Sequence, residues 1–213
     1  TSLGADDGIA VAISLYLIQQ KIQHGPLRLI FTVDEETNMT GALSLSADHV
    51  KDAKYVINCD SESIHVICVA SAGSCHMEFT RDLHRCAPTG DTALTVRAHA
   101  LAGGHSGEVI NEGRGNAIKA VADVLYRLSE GGVEYALADY KGGVAANAIP
   151  SDASAVVVVA AKDVDRVKAT VAAAEKDFNL VYGETDPNAV FEVTPADLPK
   201  SVLSAEDTTS IVD

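Results

Sequence analysis

The chain has 213 residues, 47% of them hydrophobic, and a formal net charge of −14. This apolar content excludes a disordered chain and is enough for one or two domains with a sizeable core. The acidic balance excludes a nucleic-acid-binding function, because the neutralisation of phosphates needs a basic face. No apolar run reaches the roughly 18–20 residues that a membrane-spanning helix needs, so no membrane partner is expected.

The first third of the chain has the pattern of an α/β domain. The turn at residues 4–8 leads into a predicted buried helix at 9–23, and predicted strands follow at 27–33 and 54–59, with a short helix at 40–45 between them. Strands that alternate with helices favour a mostly parallel sheet covered by helices. Further β-rich runs follow at 64–69 and 75–79.

The order of elements changes after a linker-like stretch at residues 83–91. Strand and helix patterns then alternate as β-α-β-β-α-β, at residues 93–100, 116–129, 133–140, 154–161, 164–178 and 189–194. This order predicts the ferredoxin-like unit, a compact α+β fold of two layers. We therefore expect two domains, a partial α/β domain at residues 1–88 and an α+β domain at 89–213.

Acidic residues stand at three comparable places in the first domain. Asp6 lies in a turn that enters a helix, Glu35 and Glu36 follow one predicted strand, and Asp60 follows the next. Carboxylates at the carboxyl ends of strands suit divalent metals, and two metals can share a bridging carboxylate and a water. Each acid taken singly could instead be a solvated turn residue, because Asp favours turns.

Six short motifs resemble those of the dinuclear zinc dipeptidases and aminoacylases. They are Gly-Ala-Asp-Asp-Gly at residues 4–8, Thr-Val-Asp-Glu-Glu at 32–36, Ile-Asn-Cys-Asp-Ser at 57–61, Leu-Ala-Gly-Gly-His-Ser-Gly at 101–107, Gly-Arg-Gly-Asn-Ala at 113–117 and Gly-Gly-Val-Ala-Ala-Asn-Ala-Ile-Pro at 142–150. The resemblance covers most of the chain. It implies part of a zinc-peptidase catalytic domain followed by a lid domain of that family.

For the acidic residues, the resemblance implies a site for two divalent metal ions. Zinc is the expected metal, although cobalt and manganese accept the same ligands. Asp6 would bridge the two metals, and Glu36 and Asp60 would each bind one of them. Glu35 would be the general base that takes a proton from the attacking water.

For the lid domain, the resemblance implies two further site residues. His105 would stabilise the oxyanion of the tetrahedral intermediate, and Asn147 would bind the backbone or carboxylate of a short peptide substrate. The implied activity is the hydrolysis of dipeptides, in particular those that end in histidine. A homodimer through the lid domain is also implied.

Two parts of the family pattern do not occur in this sequence. The family has a His-x-Asp motif upstream of the turn at residues 4–8 and a closing His ligand after the lid, whereas this chain begins at Thr1 and ends at Asp213. We therefore expect an internal fragment that is inactive alone, with an empty or partial metal site.

Other functions remain open at this stage. One alternative is an aminoacylase-type amide hydrolase. Another, of a different class, is a non-catalytic binding or dimerisation module. The four cysteines, which show neither Cys-x-x-Cys spacing nor a disulfide framework, indicate reduced thiols in a cytoplasmic protein.

Overall fold

The computed structural model of the chain describes residues 7–61, 65–70, 73, 75 and 77–212. The chain divides into two compact units, one that ends at Met77 and one that begins at Glu78. This division lies about ten residues before the boundary predicted near residue 88. The difference arises because the segment after Glu78 binds the C-terminal part of its own unit, as at Arg81, whose Nη2 lies 2.7 Å from Asp207 Oδ1.

The first unit contains short helices in its described residues. They are α1 (Gly8–Gln19), α2 (Glu35–Asn38), α3 (Thr40–Leu43) and a 3₁₀ turn at Ala47–His49. Helix α1 begins after Asp7, whose side chain accepts a hydrogen bond from Ala10 N at 3.2 Å. It ends four residues before the predicted end, and none of its residues is buried, so the prediction of a buried helix was wrong. Its apolar residues lie all around the helix, and they remain at least partly exposed beside the described residues of this unit.

The described residues of the first unit contain no strand. The strands predicted at residues 27–33 and 54–59 were therefore wrong, and those predicted at 64–69 and 75–79 lie partly outside the described residues. A strand needs a hydrogen-bonded neighbour, and an apolar run alone does not supply one. Phe31 is 55% exposed and Ile57 is 83% exposed, so neither segment is held in a core.

The second unit is built on one antiparallel sheet of four strands. In spatial order these are β4 (Tyr135–Gly142), β6 (Ala153–Val159), β2 (Thr92–His99) and β7 (Val190–Ala196). The helices α5 (Ala117–Glu130) and α6 (Val164–Tyr182) connect them in the order β-α-β-β-α-β. The predicted ferredoxin-like lid is thus confirmed, and sheets together with helices confirm the α/β class of the chain.

The core of the second unit lies between this sheet and its two helices. Helix α5 contributes residues spaced three or four apart, such as Val121, Leu125 and Leu128, each of which is 0% exposed. Alternate residues of β2, among them Leu94 and Val96, meet them from the sheet. This period of two in the strand and 3.6 in the helix explains why both elements were predictable.

Two short ladders and two further helices complete the second unit. Strand β1 (Arg85–Cys86) pairs with β8 (Val202–Leu203), and β3 (Gly104–His105) pairs with β5 (Ala148–Ile149). The helices are α4 (Ser106–Val109) and α7 (Ala205–Val212), with 3₁₀ turns at Ile110–Glu112 and Ala161–Asp163. Among the described residues, no helix is long and apolar enough to cross a lipid bilayer.

Candidate functional site

The ladder between β3 and β5 brings two of the predicted site residues together. His105 is paired with Ala148 in this ladder, and Ser106 N donates to Asn147 O at 2.7 Å. As a result, the side-chain Nδ2 of Asn147 lies 3.3 Å from Nε2 of His105. Both side chains are exposed, so they form a pair that an external ligand can reach.

The His105 ring is in contact with two parts of its surroundings. Its Nε2 lies 3.3 Å from the amide nitrogen of Asn147, within hydrogen-bond distance. A Cβ atom added at Gly107 would lie 3.1 Å from Cε1 and 3.2 Å from Nδ1 of this ring. The absence of a side chain at Gly107 therefore leaves room for the imidazole beside Asn147.

The backbone that leads to His105 adopts conformations that L-residues rarely take. Ala100 has φ of 59°, and Gly103 and Gly104 have φ of 60° and 116°. The left-handed conformation of Ala100 costs about 1–2 kcal/mol, and strain of this kind clusters at functional sites. Arg114 supports the turn, because its Nη1 donates to Gly103 O at 2.5 Å.

A buried carboxylate behind this turn was not among the predicted site residues. Asp186 is 1% exposed, and its oxygens accept hydrogen bonds from Ala102 N and Gly115 N, both at 2.7 Å. It thus joins the Gly-Gly-His-Ser-Gly motif to the Gly-Arg-Gly-Asn-Ala motif. In the sequence, Thr-Asp-Pro-Asn at residues 185–188 has the composition of an ordinary polar turn, and no local signal distinguishes its Asp.

An open surface depression of about 540 Å³ lies along the segment 142–150. On its other side it is lined by Ser106, Ile110, Asn116 and Ile118. Neither His105 nor Asn147 lines it, although Asn147 lies in the chain between two lining residues, Ala146 and Ala148. The glycine-to-proline motif therefore borders this depression.

The acidic turn of the first unit is closed by local hydrogen bonds. Thr40 Oγ1 donates to Asp34 Oδ2 at 2.8 Å, and Gly41 N donates to Val33 O at 3.1 Å. Asp34 has φ of 63°, a left-handed conformation that is uncommon outside glycine. Helix α2 starts directly after it, so Glu35 and Glu36 are the first two residues of a helix whose start is fixed.

The predicted metal ligands do not assemble into a site within the described residues. Asp6 lies outside them, and Asp60 is exposed, with its backbone N–H donating to Asn58 Oδ1 at 3.2 Å. In the part of the chain that the structure describes, no three His, Cys, Asp or Glu side chains come close enough to hold a metal ion. The donor chemistry suits divalent ions, but the described geometry does not form their site, so it supports no catalytic step through a metal.

A family model identifies the part of the chain that carries the His105–Asn147 pair. The model for the M20 peptidase dimerisation domain matches residues 98–186. These residues are therefore similar to the dimerisation domain of M20 peptidases. The matched segment includes His105, Asn147 and Asp186, and it contains the greater part of the ferredoxin-like fold.

Two relatives extend the similarity beyond the dimerisation domain. The chain is 34% identical over 210 residues to the cytosol non-specific dipeptidase of Escherichia coli, a match that covers 97% of this chain and 42% of the relative. It also matches the crystal structure of aminoacylhistidine dipeptidase from Vibrio alginolyticus with a TM-score of 0.70 and 28% identity, over 100% of this chain and 43% of that one. The family resemblance predicted from the motifs is thereby confirmed, and the chain spans about two fifths of the length of these relatives.

Proposed function

We propose that the protein to which this chain belongs is a metal-dependent dipeptidase. The observation that carries the proposal is the pairing of His105 with Asn147, at 3.3 Å, in a chain that is similar over 97% of its length to a dipeptidase. On this proposal the first unit is part of the metal-binding domain and the second unit is the lid. The short peptide substrate binds on the lid beside the His105–Asn147 pair.

The proposed chemistry of the first unit concerns its acidic residues. The proposed ligands of two divalent ions are Asp6, Glu36 and Asp60. Zinc is proposed from the family resemblance, with cobalt and manganese as alternatives. Such ions would supply Lewis acidity and lower the pKa of bound water. Glu35 is the proposed general base. Its place at the fixed start of α2, beside Glu36, supports separate roles for the two neighbouring acids.

The proposed chemistry of the second unit concerns the developing negative charge. His105 donates a hydrogen bond to the oxyanion of the tetrahedral intermediate, and Asn147 holds both the ring and the substrate. Dipeptides that end in histidine are the proposed substrates, which is consistent with the name of the Vibrio alginolyticus relative.

The partners and location of the protein also belong to the proposal. A homodimer through residues 98–186 is supported by the description of the matching family model. A cytoplasmic location is supported by the name of the Escherichia coli relative, cytosol non-specific dipeptidase.

The test is a Glu35→Gln substitution in the full-length protein. We expect kcat for a dipeptide that ends in histidine to fall by at least about 100-fold, because the proton acceptor is lost, while the metal content per chain stays the same. The control is Glu78→Gln, which changes an exposed glutamate and should leave kcat unchanged. Products are measured by chromatography and metals by elemental analysis.

The other functions are outcomes of the same assay. Hydrolysis of N-acyl amino acids without dipeptide turnover would replace the proposal with an aminoacylase-type amide hydrolase. A full-length protein that turns over neither substrate with zinc, cobalt or manganese present would indicate a non-catalytic binding or dimerisation module.

A further inference from the structure

The Gly-Gly-His-Ser-Gly motif lies in a loop whose two ends meet at one buried side chain. We define the histidine loop as residues 100–116, from the end of β2 to the residue before α5. Near its start, Ala102 N donates to Asp186 Oδ1, and near its end Gly115 N donates to Asp186 Oδ2, each at 2.7 Å. The two donors lie 84 and 71 residues away from Asp186 in the chain.

Asp186 is suited to this task because it offers two charged acceptors in a closed environment. Its side chain belongs to a residue that is only 1% exposed. Among the described residues, its carboxylate accepts hydrogen bonds from neutral groups. These are the two backbone N–H groups and Thr185 Oγ1, the latter at 3.1 Å. A carboxylate accepts at both oxygens, whereas an amide in its place would turn an N–H₂ group toward one of the backbone donors. Hydrogen bonds to a charged acceptor are also stronger than neutral ones.

The packing around the carboxylate leaves the loop little freedom to shift. A Cβ atom at Gly115 would lie 2.4 Å from Cζ of Phe178 and 3.3 Å from Oδ2 of Asp186, so the backbone approaches both groups closely. The Phe178 ring packs on Tyr182, with ring centroids 4.7 Å apart, and on Phe191, at 5.2 Å. The end of the histidine loop therefore packs against Phe178 of α6 in the core.

The histidine loop has an unusual backbone conformation that depends on contacts around it. Ala100 is strained, with φ of 59°. Gly103, Gly104 and Gly113 also have positive φ, which glycine adopts without strain but also leaves easily. Arg114 ties the start and end of the loop together a second time through Gly103 O, and a Cβ atom at Gly104 would lie 2.6 Å from its Nη1. Asp186 and Arg114 thus determine the path of the backbone over the three residues that precede His105.

We propose that Asp186 is a positioning residue for His105: it holds the histidine loop in the conformation that places the imidazole beside Asn147. The proposal rests on the proposed function of His105 in dipeptide hydrolysis. Asp186 acts through the backbone of Ala102 and Gly115, and His105 is three residues beyond the first of these. Without this anchor the loop relaxes, and the ring leaves the 3.3 Å contact with Asn147.

The kinetic test combines Asp186→Asn with His105→Gln in the full-length protein. Alone, Asp186→Asn should lower kcat for a dipeptide that ends in histidine by about 10- to 100-fold, the scale of a misplacement of about 1 Å, and change KM by less than about threefold. In the His105→Gln background, Asp186→Asn should lower kcat by less than about twofold further, because the group through which it acts has already been removed.

The spectroscopic test follows His105 directly and does not depend on activity. In protein with ¹³C-labelled histidine, the Cε1–H signal that disappears in His105→Gln is the signal of His105. We expect Asp186→Asn to shift or broaden this signal. The control is Asp163→Asn, which changes another buried aspartate, 7% exposed and 2.9 Å from Arg166, and which should leave the signal unchanged.

These results separate failure of the inference from failure of the proposed function. Full activity of His105→Gln would contradict the proposed function, and the NMR comparison would still decide whether Asp186 positions the ring. If His105→Gln is slow and adding Asp186→Asn lowers kcat by the same factor as it does in the unaltered protein, the inference is overturned and the proposed function stands. If Asp186→Asn does not fold, Asp186→Glu keeps the charge and moves the carboxylate by one methylene away from the donors Ala102 N and Gly115 N, and an unchanged kcat and His105 signal in that variant would overturn the inference.

Discussion

At the scale of single residues, Asp207 shows how one carboxylate connects two segments of the second unit. It accepts hydrogen bonds from His84 N at 2.7 Å, from Arg81 Nη2 at 2.7 Å and from Ser204 Oγ at 3.0 Å. Ser204 in turn accepts from Asp207 N at 3.1 Å and so caps the N-terminus of α7. The hydrogen bond from the backbone N–H of His84 is the main reason that the pKa of Asp207 lies below its usual range.

This lowered pKa predicts how the stability of the second unit depends on pH. A carboxylate whose pKa is lower in the folded state stabilises the fold above its unfolded pKa, about 3.9, and this contribution is lost as the pH falls through the folded value. The thermal midpoint of Asp207→Asn should therefore lie below that of the unaltered protein at pH 7, and the two midpoints should converge below about pH 4. Scanning calorimetry over this pH range measures both.

The control for this prediction is a neighbouring acid whose environment is different. Asp82 is exposed in the same segment, and Asp82→Asn should change the midpoint at pH 7 by less than Asp207→Asn does. A difference for Asp207→Asn that stays constant between pH 7 and pH 3 would contradict the prediction.

At the scale of elements, α1 and α5 show what an apolar pattern does and does not predict. Both helices were expected from the sequence, and both are present. Helix α5 has one apolar face and buries it on the sheet, whereas α1 is apolar all around and has no buried residue in its unit. Periodicity therefore predicts that a helix forms and, when it is one-sided, which residues are buried. It cannot predict whether a second layer is present to cover a helix that is apolar on every side.

Helix α5 provides a stability prediction with a control in the adjacent residue. Leu125 is 0% exposed in the core, so Leu125→Ala should lower the free energy of unfolding by about 2–5 kcal/mol through lost burial and a cavity. Tyr126 is 47% exposed, and Tyr126→Ala should cost less than about 1 kcal/mol. Urea unfolding followed by circular dichroism measures both variants. Equal losses in the two variants would mean that α5 does not pack as described.

In the first unit, by contrast, segments with the composition of strands do not form strands. The segments at residues 27–33 and 54–59 have strand composition, yet neither forms a strand in the described residues. Strand formation depends on hydrogen bonds to another segment, which composition does not contain. The turn at Asp34 was predictable as a turn, but its closure by Thr40 and Gly41 was not.

At the scale of the whole molecule, the dimerisation domain leads to a prediction about oligomeric state. If residues 98–186 act as the matching family model describes, the full-length protein should sediment with twice the mass of one chain. Analytical ultracentrifugation over a range of concentrations measures this mass. A species that stays monomeric at micromolar concentrations would contradict the proposed homodimer.

The sequence predicts part of the candidate site. The motifs are local and so are visible in the sequence, whereas the contacts between them join distant segments. The sequence placed His105 and Asn147 in the lid, and the structure joins them across 42 residues of chain. Asp186 was missed because its hydrogen-bonding partners lie in distant segments, and nothing in its own neighbourhood marks it. The structure describes the local backbone at Glu35, Glu36 and Asp60. The roles of these residues as general base and metal ligands remain proposals.

The sequence by itself determined the order of elements in the second unit and the family of its motifs. Strand alternation, helical period and short glycine-rich motifs all depend on neighbours within a few residues, and these are visible in the sequence. Only the tertiary structure decided that β3 pairs with β5, that Asp186 anchors the histidine loop, and that the predicted strands of the first unit remain unpaired in its described residues. Hydrogen bonds and packing between distant segments form only when the whole chain has folded, so residue patterns alone do not contain them.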